Sequence, residues 1–240
     1  MMKRLILFDI DETMISSDGA GRRALSRVLK EELQVDPKHT NIVMSGKTDP
    51  QILTEILTSH EMPAQEIPAA VTKLIEMYLE TLEEEISASK YYIMHEGVNQ
   101  LLEAIANEPA MYIGLLTGNV ERGARMKLAH FDLNKHFTFG AYGSDSADRL
   151  ELPAVAAKRA QELFGTAFTP QEIVIIGDAT NDVRRAKGYG AKSIAVNTGK
   201  TSWQDLAEQK PDYLFKSLAN TEEIMDAIRA PMPATSSQAL

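Results

Sequence analysis

Two aspartates follow the first apolar run of the chain. The run LILF covers residues 5–8, and Asp9 and Asp11 come directly behind it with only Ile10 between them. Buried carboxylates are costly unless they are paired or bound to a metal. Because open α/β sheets bind ligands at the carboxyl ends of their strands, the pair predicts a site for a hard cation such as Mg²⁺. The alternative is that both acids only cap the following turn.

A second polar group follows the run YIGLL at 112–116. Thr117, Gly118 and Asn119 come next. The Thr117 hydroxyl, together with the backbone N–H groups behind it, suits the oxygens of a phosphate. Alternatively, Asn119 only caps a helix over 120–130.

An acidic group closes the run IVIIG at 173–177. Asp178 ends this predicted strand, and Asp182 stands four residues further on, at the start of a helix. Carboxylates from two strand ends can converge on one cation, so Asp178 is a further candidate metal ligand. Asp182 has the alternative role of a first-turn acid that stabilises the helix dipole.

A phosphate bound beside carboxylates needs a fixed cation. Arg149 lies just before a predicted helix, in the run DRLELPAVAAKR, and is the first candidate. Lys158 is the second, but it lies deeper in the helical pattern. The alternative for both residues is a solvated surface charge.

The elements that must position these side chains alternate along the chain. Continuous apolar runs are typical of parallel strands buried on both faces, and helical patterns lie between the later runs. This order predicts an α/β fold with a Rossmann-like, doubly wound parallel sheet. The further strand candidates are SIAV at 193–196 and YLF at 213–215, and the helix candidates are 97–106, 153–164, 181–188 and 202–208.

Residues 18–92 break this alternation. Apolar residues recur there at helical spacing within 25–33 and 67–86, so we expect an all-helical domain inserted after the first strand. The sheet domain would then comprise 1–17 and 93–229, and 230–240 would form a C-terminal tail.

The composition limits the function classes. The 240 residues carry a net charge of −9, which disfavours nucleic acid and anionic membranes as partners because both favour basic patches. The absence of cysteine excludes disulfides, thiolate metal sites and cysteine nucleophiles. No run approaches the ~18 apolar residues of a membrane span. We therefore expect a cytoplasmic protein, either a monomer or a homodimer.

The order of the motifs resembles the haloacid dehalogenase superfamily, specifically its phosphatase branch. DIDET at 9–13 is similar to the D-x-D-x-T signature of that family, and LLTGN at 115–119 is similar to its threonine motif. Arg149 stands at its Lys/Arg position, and GDATND at 177–182 is similar to its acidic motif. The helical segment after DIDET stands where relatives carry a small cap domain.

The resemblance implies a mechanism. Asp9 would be the nucleophile and would form an aspartyl-phosphate, while Asp11 would protonate the leaving oxygen and then activate water. Dehalogenating relatives lack the second acid, so Asp11 favours phosphoryl transfer over C–halogen cleavage. Mg²⁺ would be held by the Asp9 side chain, the Asp11 backbone carbonyl and the Asp178 side chain. The residues implied to bind the phosphoryl group are Thr117, Gly118, Asn119 and Arg149, and Asp182 would hold Arg149 or a metal-bound water in place.

The resemblance also implies a small phosphorylated metabolite as substrate, selected by the cap. GAGRRAL at 19–25 and SGKTD at 45–49 are most similar to phosphoglycolate-phosphatase-type members. Arg22 and Arg23 could contact an acidic leaving group such as a carboxylate, or they could belong to an ordinary helix surface. Glu12 stands where many relatives have Gly.

Two other functions remain open from the sequence. One is a phosphomutase of the β-phosphoglucomutase kind, which would return the phosphoryl group to a sugar. The other is a non-catalytic module that binds Mg²⁺ or phosphoryl ligands.

Overall fold

A computed structural model of the chain describes residues 3–35 and 46–232. Positions 233–240 of the predicted tail, and Ser45 of the run SGKTD, lie outside the described residues. The strands are Arg4–Phe8 (β1), Ile15–Ser17 (β2), Tyr92–Met94 (β3), Met111–Leu116 (β4), Gly140–Ala141 (β5), Ile173–Gly177 (β6), Lys192–Val196 (β7) and Tyr213–Phe215 (β8).

Six of these strands form one parallel sheet in the order β5-β4-β1-β6-β7-β8. All five apolar runs predicted as strands are confirmed, and the predicted α/β class is correct. The two-residue strand β5 was not predicted, because so short a segment carries no periodic pattern.

Helices connect the strands. Those predicted between the later strands are confirmed within a residue or two, α2 lies in the segment predicted to be helical, and α9 was not predicted. The helices are Ala20–Leu33 (α1), Asp49–Ser59 (α2), Ile67–Ala88 (α3), Val98–Ala106 (α4), Glu121–Ala129 (α5), Leu152–Phe164 (α6), Thr180–Tyr189 (α7), Trp203–Glu208 (α8) and Thr221–Arg229 (α9).

The central strand β1 is buried at every position, and its side chains alternate between two cores. Leu7 packs in one core with Ala156 of α6. Phe8 packs in the other core with Leu101 of α4. Because successive residues of a strand point to opposite faces, both faces of the sheet are covered, as the continuous apolar run predicts.

The described part of the segment predicted to be helical forms α1, α2 and α3, with α3 packed against both of the others. The short strands β2 and β3 flank this segment and pair antiparallel, with Ile15 opposite Met94 and Ser17 opposite Tyr92. Among the described helices, none combines the length and apolar character that crossing a bilayer requires. The division of the chain into a sheet domain and a helical domain stays a prediction.

The strand register brings the predicted site residues to one edge of the sheet. Phe8 pairs with Leu115 of β4 and with Ile176 of β6, so the residues that follow these three positions lie side by side. Asp9 follows Phe8 directly, and Thr117 and Asp178 each stand two residues after the pairing position of their own strand.

Candidate active site

Asp9 lies at the carboxyl end of the central strand and is 7% exposed. Its Oδ1 accepts a hydrogen bond from the backbone N–H of Ile10 at 2.9 Å. Its Oδ2 accepts one from Nη2 of Arg149 at 3.0 Å. Burial raises the pKa of Asp9, and the guanidinium of Arg149 counteracts this shift by favouring the ionised form.

Three buried carboxylates converge at this position. Asp9, Asp178 and Asp182 each place one oxygen within 4.8 Å of the others. Burial and the two neighbouring acids raise the pKa of Asp178 to about 8. Like charges held this closely favour a divalent cation, and carboxylate oxygens are the ligands that Mg²⁺ prefers. The donor set therefore fits a magnesium ion.

Asp178 is held by a partner from the first motif. Thr13 donates a hydrogen bond from Oγ1 to Oδ1 of Asp178 at 3.1 Å. The second oxygen faces Gly199, where an added Cβ would lie only 1.9 Å from Oδ2. The threonine of DIDET thus orients the acid of GDATND, and the backbone at Gly199 approaches that acid closely because no side chain intervenes.

Both oxygens of Asp182 already have protein partners. Oδ1 accepts from Nη2 of Arg185 at 2.8 Å, and Oδ2 accepts from the backbone N–H of Ala179 at 3.0 Å. Oδ1 also lies 3.8 Å from Nη2 of Arg149. Asp182 therefore caps α7, which is the alternative considered from the sequence, and it also lies within ion-pair distance of the cation that binds Asp9.

The structure separates the two candidate cations. The side chain of Arg149 is 11% exposed and contacts Asp9. The side chain of Lys158 is 77% exposed and lies 3.8 Å from Glu162, on the outer face of α6. Within the described residues, Arg149 is the candidate that reaches the carboxylate cluster.

The carboxylate of Asp11 does not join the cluster. Lys127 donates to both of its oxygens at 2.8 Å, and Asn119 donates from Nδ2 to Oδ2 at 2.7 Å. Burial alone would raise the pKa of Asp11, but the charge and hydrogen bonds of Lys127 and the hydrogen bond of Asn119 outweigh burial and hold the pKa below its usual value. The metal role implied for Asp11 uses its backbone carbonyl, which leaves the side chain free for this pairing.

The loop at 117–119 contains the residues predicted to bind phosphate, and it contacts the helical segment. Thr117 is fully buried, and its Oγ1 accepts a hydrogen bond from Nδ2 of Asn119 at 2.7 Å. A Cβ at Gly118 would lie 2.3 Å from the carbonyl oxygen of Lys47. Only glycine permits this close approach of the two backbones.

Asp49 completes the contact from the helical side. Its backbone N–H donates to the carbonyl of Gly118 at 2.9 Å, and its Oδ2 accepts from the N–H of Val120 at 2.9 Å. Burial raises the pKa of Asp49 to about 6, although Lys127 and the N–H of Val120 act in the opposite direction.

A cavity of about 340 Å³ lies between the sheet edge and the helical segment. The predicted site residues Asp9, Asp11, Arg149 and Asp178 line it from the sheet side. Arg22 lines it from α1, whereas Arg23 turns away and donates to Glu85 at 2.7 Å. The other lining residues that bear on the chemistry are Glu12, Lys47, Asp49, Tyr78, Thr117, Gly118, Asn119, Lys127 and Lys200.

The backbone at Glu12 has a conformation that suits the glycine found at this position in the family pattern. It adopts a left-handed backbone with φ of 61°, a conformation that glycine tolerates and other residues adopt at a cost. Its side chain also lines the cavity. The site thus contains an extra carboxylate beside the place predicted for an anionic substrate.

Among the polar residues of the site, sequence reasoning missed Lys127 and Arg185, whereas Asp49 belongs to the run SGKTD that it singled out. Arg185 had a weak signal, because it stands three positions after Asp182 on the same helix, where side chains meet. Lys127 had none, since its partner Asp11 is distant in sequence.

Comparisons with known proteins identify relatives along most of the chain. The profile of the family described as haloacid dehalogenase-like hydrolase matches residues 6–196. The phosphoglycolate phosphatase of Salmonella paratyphi A is 23% identical over 233 residues, covering 89% of each chain.

Solved structures share the fold. CbbY from Rhodobacter sphaeroides, in complex with phosphate, superimposes with a TM-score of 0.71 at 20% identity, covering 91% of this chain and 96% of that one. A hydrolase from Pseudomonas syringae gives a TM-score of 0.70 at 20% identity, covering 95% and 100%.

Proposed function

Because the chain belongs to the haloacid dehalogenase-like hydrolase family, we propose that it hydrolyses small phosphomonoesters through an aspartyl-phosphate formed on Asp9. The observation that carries the proposal is the partly buried hydrogen bond of 3.0 Å between Arg149 and Asp9, at the edge where Thr117 and Asp178 directly follow their strands. A nucleophile, a phosphate-binding cation and a set of metal ligands thus meet in one cavity.

Magnesium is the proposed cofactor. The side chains of Asp9 and Asp178 and the backbone carbonyl of Asp11 would hold the ion. When bound, Mg²⁺ neutralises the crowded carboxylates and polarises the phosphoryl oxygens. Asp182 would not bind the ion directly, because its two oxygens already accept hydrogen bonds from Arg185 and from the backbone of Ala179.

In the first step, a carboxylate oxygen of Asp9 attacks phosphorus, and the bond between phosphorus and the ester oxygen breaks. Arg149 and Thr117 bind the phosphoryl oxygens, whose charge Arg149 balances. Asp11 gives a proton to the departing oxygen, so the alcohol leaves in neutral form. Such acid assistance accelerates reactions roughly 10²–10⁴-fold.

In the second step, Asp11 takes a proton from water, and the water oxygen attacks phosphorus of the aspartyl-phosphate. The bond between phosphorus and the Asp9 oxygen breaks, which releases inorganic phosphate and restores the carboxylate of Asp9. Asp11 ends protonated, and because Lys127 favours its ionised form, it passes this proton readily to the next leaving oxygen.

The substrate proposed first is a small ester whose leaving group carries a carboxylate, as in phosphoglycolate. Arg22 lines the helical side of the cavity and supplies a cation for such a group. The name of the curated relative agrees with this choice. A cytoplasmic location and a monomeric or dimeric state stay predictions.

The test measures phosphate release from p-nitrophenyl phosphate and from a panel of metabolite esters that includes phosphoglycolate. Each assay runs with Mg²⁺, with a chelator, and with the variant Asp9→Asn. Asp132→Asn is the matched control, because Asp132 is an exposed acid that pairs with Lys135 on the surface. Mass spectrometry of acid-quenched enzyme should show one added phosphoryl group in the native protein and none in Asp9→Asn.

We expect turnover that needs Mg²⁺, disappears in Asp9→Asn and persists in Asp132→Asn. Absence of phosphate release from every ester would contradict the proposal. Conversion of a sugar phosphate into its isomer without release of phosphate would instead support a phosphomutase.

A further inference from the structure

Lys127 of α5 is a buried lysine that carries out no step of the proposed mechanism itself. The residue is 4% exposed, and a buried ammonium is costly unless it is paired. Its Nζ donates to Oδ1 and Oδ2 of Asp11 at 2.8 Å each and to Oδ1 of Asn119 at 2.6 Å. An ammonium has three N–H donors, so these contacts use all of them.

The contacts constrain the carboxylate of Asp11 from one side. Oδ2 accepts from both Lys127 and Asn119. Within residues 3–35 and 46–232, Oδ1 accepts from Lys127 and otherwise has a long contact of 3.5 Å with the hydroxyl of Ser17. Each carboxylate oxygen can accept about two hydrogen bonds. Oδ2 is therefore filled by the protein, and Oδ1 keeps capacity for a substrate or a water.

The lysine is itself held in place. The hydroxyl of Tyr92 donates to its backbone carbonyl at 3.1 Å, which ties α5 to β3. A Cβ at Gly21 would lie 3.3 Å from Nζ, so α1 packs closely against the ammonium. Asn119 is fixed in turn by its hydrogen bond to Thr117. The support of Asp11 thus comes from packed helices and a strand end.

We infer that Lys127 is a positioning residue for proton transfer to the leaving group, and that it acts by holding the Asp11 carboxylate in one orientation. The inference rests on the proposed function. This role differs from binding of the phosphoryl group. If Lys127 acts through Asp11, its replacement slows the reaction only to the extent that the leaving group needs a proton.

The test compares two esters in the same enzyme preparation. p-Nitrophenyl phosphate has a leaving group that departs readily without a proton, whereas an alkyl ester needs general acid assistance. The quantity measured is kcat/KM for the fastest alkyl ester of the panel divided by kcat/KM for p-nitrophenyl phosphate. This ratio does not depend on the fraction of enzyme that is folded.

We expect Lys127→Met to lower the ratio at least ~10-fold, in the same direction as Asp11→Asn. The double variant Asp11→Asn, Lys127→Met should give the same ratio as Asp11→Asn alone, because the lysine acts through the acid. Lys158→Met is the matched control at an exposed lysine and should keep the native ratio. Lys127→Gln serves as the second variant and should also lower the ratio.

Four results would overturn the inference. Equal losses for both esters in Lys127→Met would indicate a general role in binding or stability. A double variant with a ratio well below that of Asp11→Asn would show that Lys127 acts independently of Asp11. Native enzyme that hydrolyses neither ester would remove the proposed function and this inference together, whereas native turnover with an unchanged ratio in Lys127→Met would remove this inference alone.

Discussion

Nη2 of Arg149 donates a hydrogen bond to Oδ2 of Asp9 at 3.0 Å although the two residues stand 140 positions apart in the chain. Both side chains are almost fully buried. A guanidinium that touches the proposed nucleophile is placed to bind the phosphoryl group that the nucleophile attacks.

Replacing Arg149 should therefore impair phosphoryl binding and transfer. We expect Arg149→Met to lower kcat/KM about 10²–10³-fold, the usual loss for one donor to a developing oxyanion. Arg149→Lys should recover part of this loss because it keeps the charge without the planar fork. Steady-state kinetics on p-nitrophenyl phosphate measures both effects. Lys158→Met, the alternative cation, should retain native kinetics, and a comparable loss there would contradict the assignment.

Arg185 is expected to matter for stability. It is buried with Asp182, and its pKa falls to about 10 because of burial and of the neighbouring Arg149. Removing one partner of a buried pair costs about 3–5 kcal/mol, so Arg185→Met should lower the free energy of unfolding by that amount. Urea denaturation provides the measurement. Arg184→Met, one position away on the exposed face, should change it by less than about 0.5 kcal/mol.

Replacing Glu12 should change stability and substrate affinity together. Glu12→Gly removes a side chain from a left-handed position and should stabilise the fold by up to about 1 kcal/mol. It also removes a carboxylate from the cavity, so KM for phosphate esters should fall ~5-fold, as expected for about 1 kcal/mol of charge repulsion. Gln34→Gly is the control, because Gln34 has φ of 55° at the exposed end of α1. It should stabilise similarly and leave KM unchanged.

Asp49 predicts a pH dependence of stability. Its pKa is raised from 3.8 to about 6 in the folded protein, so its contribution favours folding below pH ~4 and is lost as the pH rises through 6. Asp49→Asn should keep the contact with Val120 and lack this dependence. The difference in unfolding free energy between native protein and Asp49→Asn should therefore shift in favour of the variant between pH 4 and 7.

The change in the difference of unfolding free energy has an upper limit of about 3 kcal/mol, since each pKa unit corresponds to about 1.4 kcal/mol. The observed change should be smaller, because Asp49 is half-buried and solvent screens its charge. Urea midpoints at several pH values provide the measurement. A constant difference across the range would show that Asp49 does not titrate in it.

The strands and the strand-end residues were predictable from sequence because each signal is local. The run IVIIG forms β6 over the same five residues, and Asp178 follows it as expected. By contrast, β2 and β3 are three residues each and stabilise one another across the helical segment. Pairing of this kind depends on contacts between distant residues, which periodicity does not report.

The site divides in the same way. Asp9, Asp178 and Arg149 were predicted from their positions beside strands and helices, and the structure brings them together. Lys127 lies in the run ERGARMKLA, where several charges occupy one helix. Nothing in that run distinguishes the one lysine that faces Asp11 from the arginines that do not.

The pairing of Ser17 with Tyr92 means that the chain leaves the sheet and returns to it through the two arms of a β-hairpin. Residues 18–91 stand where an ordinary hairpin has a turn of a few residues. The ends of this insertion are held together by the ladder, and loop-closure entropy grows only slowly with length. We therefore expect that the insertion can lengthen or shorten at little cost in folding free energy while the strand ends that carry the candidate site keep their positions.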